Sequence, residues 1–469
     1  MIDFSETICA IATGPGKGAI SIIRISGTKA KSIVSDIFTP ASKSSVWMNQ
    51  ANTLHYGTIT KQNDIIDDVL VSVFTAPKSY TGEDTIEINC HASLYIQNEI
   101  LKMLIAAGAR LANPGEFTMR AYFNGKLDLS QAEAVADILA SSTEASHKLA
   151  ISQMKGGYAA ELQELRKALL HFLAMLELEL DFSEEEVEFA DRNELQTLVV
   201  EIMQRVSKLL QSFELGNAIK HGIPVCIVGE PNVGKSTLLN VILNEEKAIV
   251  SEIPGTTRDI IEDSLVINGV TFRFIDTAGI RETSDTIERM GIDRTFQKIE
   301  QASFVLLLVD ATAPLQSIKN HIKEIKTRIS ATQKIIVVIN KIDVATDLQL
   351  EQHCNDMLSE HLSEQDSIVC ISAKKKQNIQ HLIDILVGDV QYDTISQHDA
   401  IVTNIRHFEA LQHAHTALEH VLHGLETKLS NDLVSLELRQ VLHHIGSITG
   451  NISNDEMLGH IFENFCIGK

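Results

Sequence analysis

The sequence predicts a chain of mixed class, α/β plus α+β. An α/β domain with a parallel sheet is inserted in a central all-helical domain, and an N-terminal α+β module precedes both. Three observations carry this. Short apolar runs that end in loops bearing glycine, lysine or aspartate recur between residues 217 and 389, as in open parallel sheets whose ligand loops follow the strands. Apolar residues at three- and four-residue spacing lie on both sides of that stretch. Strand-like runs dominate the first 125 residues. The expected boundaries are therefore 1–125, 126–216, 217–389 and 390–469 in a chain of 469 residues.

In the N-terminal module, strands are expected at Ala19–Ile25, Leu54–Thr60, Val69–Phe74 and Thr85–Asn89, and a helix at Leu94–Ala107 that stops at Gly108. Thr13-Gly14-Pro15-Gly16-Lys17-Gly18 reads as a glycine turn. A phosphate loop would need Ser or Thr after Lys17 and a helix rather than a strand beyond it. Ser130 to Glu133 has capping-box spacing and opens a helical region. Leu162, Leu165, Leu169, Phe172, Leu176 and Leu180 then mark one apolar face, the run Asp181–Glu188 reads as solvated acid, and a further helix is expected over Glu194–Leu215. Helical periodicity returns after Thr403: Val434, Leu438, Val441, Leu442, Ile445 and Ile448 share a face, and Ser453 to Glu456 precedes a short helix ending at Phe462. Neither helical half has apolar faces enough to bury itself, which is the physical motive for joining them into one interrupted domain.

The formal net charge is −22 and the pI about 5.2, so phosphate repulsion opposes broad nucleic-acid binding and any RNA contact needs a local basic patch. No run approaches the roughly 18 apolar residues of a membrane span. The longest, Phe304–Val309, stops at Asp310 and suits a central parallel strand. Met1–Glu6 is acidic where a signal peptide would be basic. Six cysteines without Cys-x-x-Cys pairs argue against zinc and disulfides and for a reducing cytosol.

The ligand loops are specific. Gly229-Glu230-Pro231-Asn232-Val233-Gly234-Lys235-Ser236, between an apolar strand and a helix that opens at Thr237, is a phosphate-binding loop. Its backbone N–H groups and the helix N-terminus receive phosphate oxygens, Lys235 reaches the outer phosphates and Ser236 ligates Mg²⁺. Asp276-Thr277-Ala278-Gly279 ends a second strand, where Asp276 can hold the metal through water and Gly279 lets the backbone approach the terminal phosphate. Asn340-Lys341-Ile342-Asp343 ends a third. There Asp343 accepts from guanine N1–H and the 2-amino group, a pair that adenine cannot offer. Ser372-Ala373-Lys374 ends a fourth, with a backbone N–H for guanine O6. Between the first two loops, Ser251-Glu252-Ile253-Pro254-Gly255-Thr256-Thr257 can give a threonine hydroxyl to Mg²⁺ and sense the terminal phosphate. Four motifs in this order, each at a strand end, make the inserted domain a GTPase.

The residue after Asp-x-x-Gly is Ile280, which cannot orient water as the glutamine of Ras-like GTPases does. Glu288, beyond a polar loop, either orders the attacking water or is a helix-start acid favoured by the dipole. No arginine finger is evident. The Asn232 side-chain oxygen, with backbone oxygens of Ser251 and Ile253 and a contribution from Thr256, can hold a monovalent cation beside the phosphates. Alternatively, Asn232 bonds its own backbone.

With these residues in view, the chain resembles the MnmE or TrmE family of tRNA-modification GTPases over essentially its whole length. The resemblance rests on Ser79-Tyr80-Thr81-Gly82-Glu83-Asp84, Asn113-Pro114-Gly115-Glu116-Phe117-Thr118 with Arg120-Ala121, Lys126 to Ala134, and the ending Phe465-Cys466-Ile467-Gly468-Lys469. It implies a cytoplasmic homodimer formed through a folate-binding N-terminal domain and working with an FAD-containing partner, MnmG. Together they would add an aminomethyl or carboxymethylaminomethyl group to carbon 5 of the tRNA wobble uridine, with 5-formyl- or 5,10-methylene-tetrahydrofolate as one-carbon source. It further implies that potassium drives the GTPase domains together. Asn232, Ser251, Ile253 and Thr256 match the family's potassium positions, Ser236 and Thr257 its magnesium ligands, and Glu288 its catalytic glutamate. Arg24, Glu87, Lys126 and Lys469 match folate contacts, and Cys466 a cysteine assigned to the modification step; a small buried apolar role for Cys466 remains the other reading. His91-Ala92-Ser93 departs from the usual His-Gly-Gly. Two other readings remain on sequence alone: a ribosome-assembly GTPase switch without modification chemistry, and a folate enzyme regulated by GTP.

Overall fold

The computed structural model describes residues 5–42 (15 and 17 apart), 51–181 (63 apart), 191–245, 263–275 (268 and 269 apart), 302–346 (328, 331 and 332 apart), 362–388 (364 and 365 apart) and 400–451, with single positions at 299, 458, 461, 462, 465 and 468. The acidic run beyond residue 181 and the capping spacing at Ser453 lie outside the described residues. The chain forms two compact units. One comprises Met1–Leu139, Ala150–Ser207 and Glu409–Lys469, and the other Ala140–Leu149 and Lys208–Phe408.

The first unit contains a seven-stranded sheet. Its strands are β1 (Ile8–Ile11), β2 (Ile20–Ser26), β3 (Phe38–Pro40), β4 (Thr53–Lys61), β5 (Asp64–Phe74), β6 (Thr85–His91) and β7 (Arg110–Leu111), in the order β3-β4-β5-β6-β2-β1-β7. All neighbours are antiparallel except β1 and β7. Side chains alternate across the pleat, so Ile23, Ile25, Val69, Val71, Val73, Ile86 and Ile88 enter one core with Ile33 and Val34 of α1 (Ala30–Ser35) and Ile100 and Leu104 of α2 (Leu94–Ala106). The opposite face exposes Ile20, Leu54, Tyr56 and Leu70.

Each expected strand and the helix at Leu94 are present within a few residues. β5 starts five residues earlier than expected, at Asp64. Acidic residues are poor strand formers, but Asp67 is buried and satisfied: it accepts from the His91 backbone N–H at 2.8 Å and from His91 Nδ1 at 2.7 Å. β1 and β7 were not expected. Both are short, and β7 exists only because Arg110 and Leu111 pair with Ile8 and Cys9 from a hundred residues away.

The helices of this unit include α3 (Glu116–Phe123), α4 (Leu129–Ala140) and α6 (Gly157–Asp181). After α7 (Arg192–His221), which starts here and continues into the second unit, the unit resumes with most of α11 (Ile405–Glu426) and with α12 (Asn431–Thr449); α5 (Glu144–Met154) falls across the division. All six expected α12 residues, Val434 through Ile448, are buried. On α6 the expected face is right at Leu162, Leu165, Leu169 and Leu176 and wrong at two positions: Phe172 is only partly buried while its neighbour Leu173 is buried, and Leu180 is 37% exposed. Its place inward goes to Glu179, which accepts from Arg192 Nη2 and from Asn431 Nδ2 at 2.8 Å. A carboxylate with two donors satisfies burial as well as a leucine does, and hydropathy alone cannot foresee the donors.

Two sequence signatures meet as a buried ion network. Arg120 and Glu116 are both fully buried on α3 and pair at 2.9 Å. Arg110 grips Glu116 with both terminal nitrogens at 2.8 and 3.0 Å, the Asn113 N–H adds a third donor at 2.9 Å, and Arg120 reaches Glu83 at 3.1 Å. Burial by itself would raise the Glu116 carboxyl, but the donors from Arg110, Asn113 and Arg120 hold it below the ordinary carboxylate value.

The second unit has a six-stranded sheet. β8 (Ile223–Val228), β9 (Asp263–Ile267), β10 (Val270–Ile275), β11 (Phe304–Asp310), β12 (Lys334–Asn340) and β13 (Ser367–Cys370) lie in the order β13-β12-β11-β8-β10-β9. All pairs are parallel except the β9–β10 hairpin. The all-apolar run at Phe304–Val309 is central and buried, as expected. Helices α8 (Lys235–Glu245), α9 (Leu315–Lys326) and α10 (Ile379–Gly388) belong to the same unit. Among the described residues no helix is long and apolar enough to cross a membrane.

The last turns of α7 pack tightly on the segment returning from the sheet. Phe213 stacks on Phe408 with centroids 4.4 Å apart, and Ser212 Oγ accepts from the Val402 N–H at 3.0 Å. Gly216 makes room for this. A Cβ there would overlap the Val402 carbonyl oxygen and come within 2.8 Å of Ile401 Cγ2. Gly216→Val is therefore expected to destabilise the chain by about 2–4 kcal/mol through overpacking against backbone, read as a lowered urea midpoint, whereas Gly388→Ala, with nothing around its Cβ position, is expected to change the midpoint little.

Candidate active site

The site is built on the C-terminal ends of β8, β11, β12 and β13. β8 is the strand from which the chain goes to one side for β10 and to the other for β11, so its end is a topological switch point where a crevice opens. The Gly229–Ser236 loop follows it and runs into α8, whose first residue is Lys235. Gly229 has φ +149 and Gly234 φ +102; a Cβ on the first would overlap the Leu308 carbonyl oxygen and on the second the Asn340 amide nitrogen. Both glycines are required by close approach as well as by conformation. Asn232 has φ +63, and its side chain is exposed on the loop.

Asn340 holds the loops in register. It is 3% exposed. Its Nδ2 donates to the Val233 carbonyl at 2.7 Å, and its Oδ1 accepts from the Ala373 N–H at 2.9 Å. One amide thus ties the phosphate loop to the Ser372–Lys374 loop. Ser372 Oγ donates to Asp343 Oδ1 at 2.7 Å, with Lys375 Nζ 3.9 Å from the other oxygen. The Ser372 hydrogen bond holds the Asp343 carboxyl below its ordinary value, which favours the ionised, acceptor-only form. Lys235 Nζ donates to the carbonyls of Gly229 at 2.6 Å and Glu230 at 2.9 Å. Partial burial lowers its pKa, but those carbonyls keep its charged head at the lip of the loop, in reach of phosphate. The cradle fits a nucleotide: Gly229 and Gly234 leave their backbone free of side chains, Val233, Gly234, Lys235, Ser236 and Thr237 enter a helix N-terminus, and Ser236 stands where a metal-ligating hydroxyl belongs.

Several expected site residues lie outside the described residues: Ser251, Glu252, Ile253, Pro254, Gly255, Thr256 and Thr257, Asp276, Thr277, Ala278 and Gly279, Glu288, Cys466 and Lys469. The described site residues of the second unit, Asn232 to Thr237, Asn340, Lys341, Asp343 and Ser372 to Lys374, surround the ends of β8, β12 and β13.

A second constellation lies in the first unit. Arg24 and Glu87 face each other across β2 and β6 and pair at 2.8 Å. The Arg24 guanidinium lies 5.5 Å from the Tyr80 ring centroid and 5.6 Å from that of Phe117, and donates to the Gly468 carbonyl at 3.3 Å. The C-terminal signature therefore reaches the sheet one residue before Lys469. Lys126 stands by the Gly82 turn, with Nζ donating to the Pro77 carbonyl at 3.1 Å. Sequence reasoning missed Tyr80 and Phe117 as the walls around Arg24. Both belong to stretches already singled out, but only the fold stacks them.

Comparison with known proteins now decides the family. The family model for the "MnmE helical domain" matches residues 129–466, and that for the "GTP-binding protein TrmE N-terminus" matches residues 7–126. The "tRNA modification GTPase MnmE" of Bacteroides thetaiotaomicron is 52% identical over 465 residues, which is 99% of each chain. That of Parabacteroides distasonis is 52% identical over 467 residues, 99% of this chain and 100% of the relative. The chain belongs to the MnmE family of tRNA modification GTPases. Among solved structures, Era of Aquifex aeolicus bound to GDP·AlF4− is 27% identical over 41% of this chain and 66% of that one, with a TM-score of 0.28.

As an MnmE-family member the chain is a GTPase that acts in tRNA modification, and its cofactors are GTP or GDP and Mg²⁺. The MnmE architecture is also the one expected: a P-loop domain inserted in a helical domain behind an N-terminal TrmE domain. In this MnmE-family site, Asp343→Asn replaces one acceptor oxygen with a donor that meets the guanine 2-amino group and complements a 2-oxo group. The expected result is a loss of GDP affinity of at least about a hundredfold and a gain for xanthosine diphosphate, both read by titration calorimetry.

Proposed function

We propose that this chain is a potassium-dependent GTPase that switches a wobble-uridine modification complex. It is a homodimer that acts with an FAD-containing MnmG-type partner on tRNA in the cytoplasm. Together they place an aminomethyl or carboxymethylaminomethyl group on carbon 5 of the wobble uridine, with the one-carbon unit of 5-formyl- or 5,10-methylene-tetrahydrofolate. The domain limits proposed are 1–125, 126–216, 217–389 and 390–469. The observation that carries the folate part is the Arg24–Glu87 pair, walled by Tyr80 and Phe117 and met by the Gly468 carbonyl. A carboxylate suits the amino-pyrimidine edge of a pterin, cations at Arg24, Lys126 and Lys469 suit glutamyl carboxylates, and the partly exposed ring of Tyr80 suits a flat heterocycle. Cys466 lies two residues before Gly468, so the same tether supports its assignment to the modification step. The exposed apolar residues Ile20, Leu54, Tyr56 and Leu70 on the open sheet face support association of the N-terminal domains.

For hydrolysis, Ser236 and Thr257 would hold Mg²⁺, which would supply charge neutralisation at the phosphates. Asn232, Ser251, Ile253 and Thr256 would hold potassium, which would supply the positive charge that an arginine would bring. Lys235 binds the outer phosphates, the Gly234 amide region orients them, and Glu288 orders the attacking water in place of the glutamine that Ile280 cannot replace. The exposure of Asn232 on the loop is consistent with the ligand role.

GTP turnover should be at least about tenfold faster in potassium than in sodium at equal ionic strength, and equal rates would remove the potassium reading. Arg24→Ala should weaken binding of 5-formyltetrahydrofolate by about tenfold or more while GTP affinity stays constant. Nucleoside mass spectrometry of tRNA from cells lacking the chain should show wobble uridines without the carbon-5 substituent; unchanged nucleosides would sink the modification chemistry and leave the GTPase standing.

A further inference from the structure

β11 ends at Asp310, in parallel register with Asn340 at the end of β12. The two strand ends are joined through backbone, since the Ala311 N–H donates to the Asn340 carbonyl at 2.8 Å. The Asp310 carboxylate accepts three hydrogen bonds. Oδ1 accepts from the Thr312 N–H at 2.9 Å and from Thr312 Oγ1 at 2.8 Å, and Oδ2 accepts from Lys341 Nζ at 2.6 Å. Lys341 itself has φ +67, a left-handed conformation that a non-glycine residue holds only when its surroundings enforce it. It stands between Asn340, which ties the loops together, and Asp343, which reads the base.

We propose that Asp310 is a positioning residue for guanine-nucleotide affinity, acting through Lys341 by anchoring its ammonium so that the Asn340–Asp343 loop is held in its binding conformation before nucleotide arrives. A lysine side chain is rich in rotamers, and its freedom must be lost if the loop is to pack against a base. Tethering the head to a carboxylate that is itself locked by Thr312 removes that freedom in advance, which is how preorganisation raises affinity. The tether lies on the base side of the site, so it acts alike on GDP and GTP and leaves the phosphoryl-transfer step alone. This inference rests on the GTPase activity of the family and not on the potassium or folate readings.

The test is a double-mutant cycle on the full chain, with wild type, Asp310→Asn, Lys341→Met and the double variant. A fluorescent GDP analogue reads Kd, GTP turnover reads KM and kcat, and circular dichroism reads the melting temperature. Asp310→Asn is expected to raise Kd and KM by about tenfold, as for loss of a charge-assisted hydrogen bond, with kcat changed less than about twofold. In the Lys341→Met background the same change should raise Kd by less than about twofold, because its only route is already gone. A full penalty in that background, or a penalty on kcat instead of KM, overturns the proposal. Should Asp310→Asn not fold, Thr312→Val loosens the carboxylate instead, and it should raise Kd by about threefold only where Lys341 is present. No rise, or an equal rise without Lys341, overturns it too.

Discussion

The nucleotide site depends on one buried side-chain amide. Asn340 donates to the loop at Val233 and accepts from the loop at Ala373, so one short side chain fixes the spacing of the two loops. Both hydrogen bonds are buried, and an amide left unpaired in this position costs its desolvation penalty, about 1–3 kcal/mol per group. The glycine at 234 exists to let that amide in. The parallel sheet places the loops at neighbouring strand ends, and Asn340 then locks them to a common scale. Asp310 and Lys341 extend the same construction outward to the base side.

The N-terminal unit is organised by a different force. There a polar cluster joins the fully buried Glu116 and Arg120 to the partly exposed Arg110 and Glu83. Such a network stabilises little relative to apolar packing, but it is costly to break and it fixes geometry. The two signature turns around Gly82 and Gly115 are pinned by it. Gly115 is itself pressed against the C-terminal segment, where a Cβ would come within 2.8 Å of the Phe462 carbonyl oxygen and 2.9 Å of Phe465 Cβ.

Most of the α/β domain was legible from sequence, and for one reason: in a parallel sheet each strand is a short apolar run and each ligand loop follows it directly, so order along the chain repeats order in space. Asp343 and Lys235 were assigned roles from local pattern, and the structure gives them partners that suit those roles. Asp310 was noted only as the residue that stops the apolar run, because its partner Lys341 is 31 residues away. The N-terminal module was harder. β1 and β7 carry too few residues to show a period, and β5 begins with acids that look like a loop until His91 covers Asp67. Glu179 replaced the expected Leu180 on α6 because Arg192 and Asn431, far off in sequence, arrive as donors.

What the sequence by itself determined is what is encoded at short range: the apolar periods of the strands and of α12, the glycines of the phosphate loop and the family signatures. What only the tertiary structure decided is the pairing of polar groups across long separations: Asn340 with Val233 and Ala373, Asp310 with Lys341, Arg24 with Glu87 and Gly468, and Arg120 with Glu83. The physical reason is that hydrophobic burial is non-directional and follows from residue type, whereas a buried hydrogen bond or ion pair depends on a partner within about 3 Å, and that distance is a property of the folded chain.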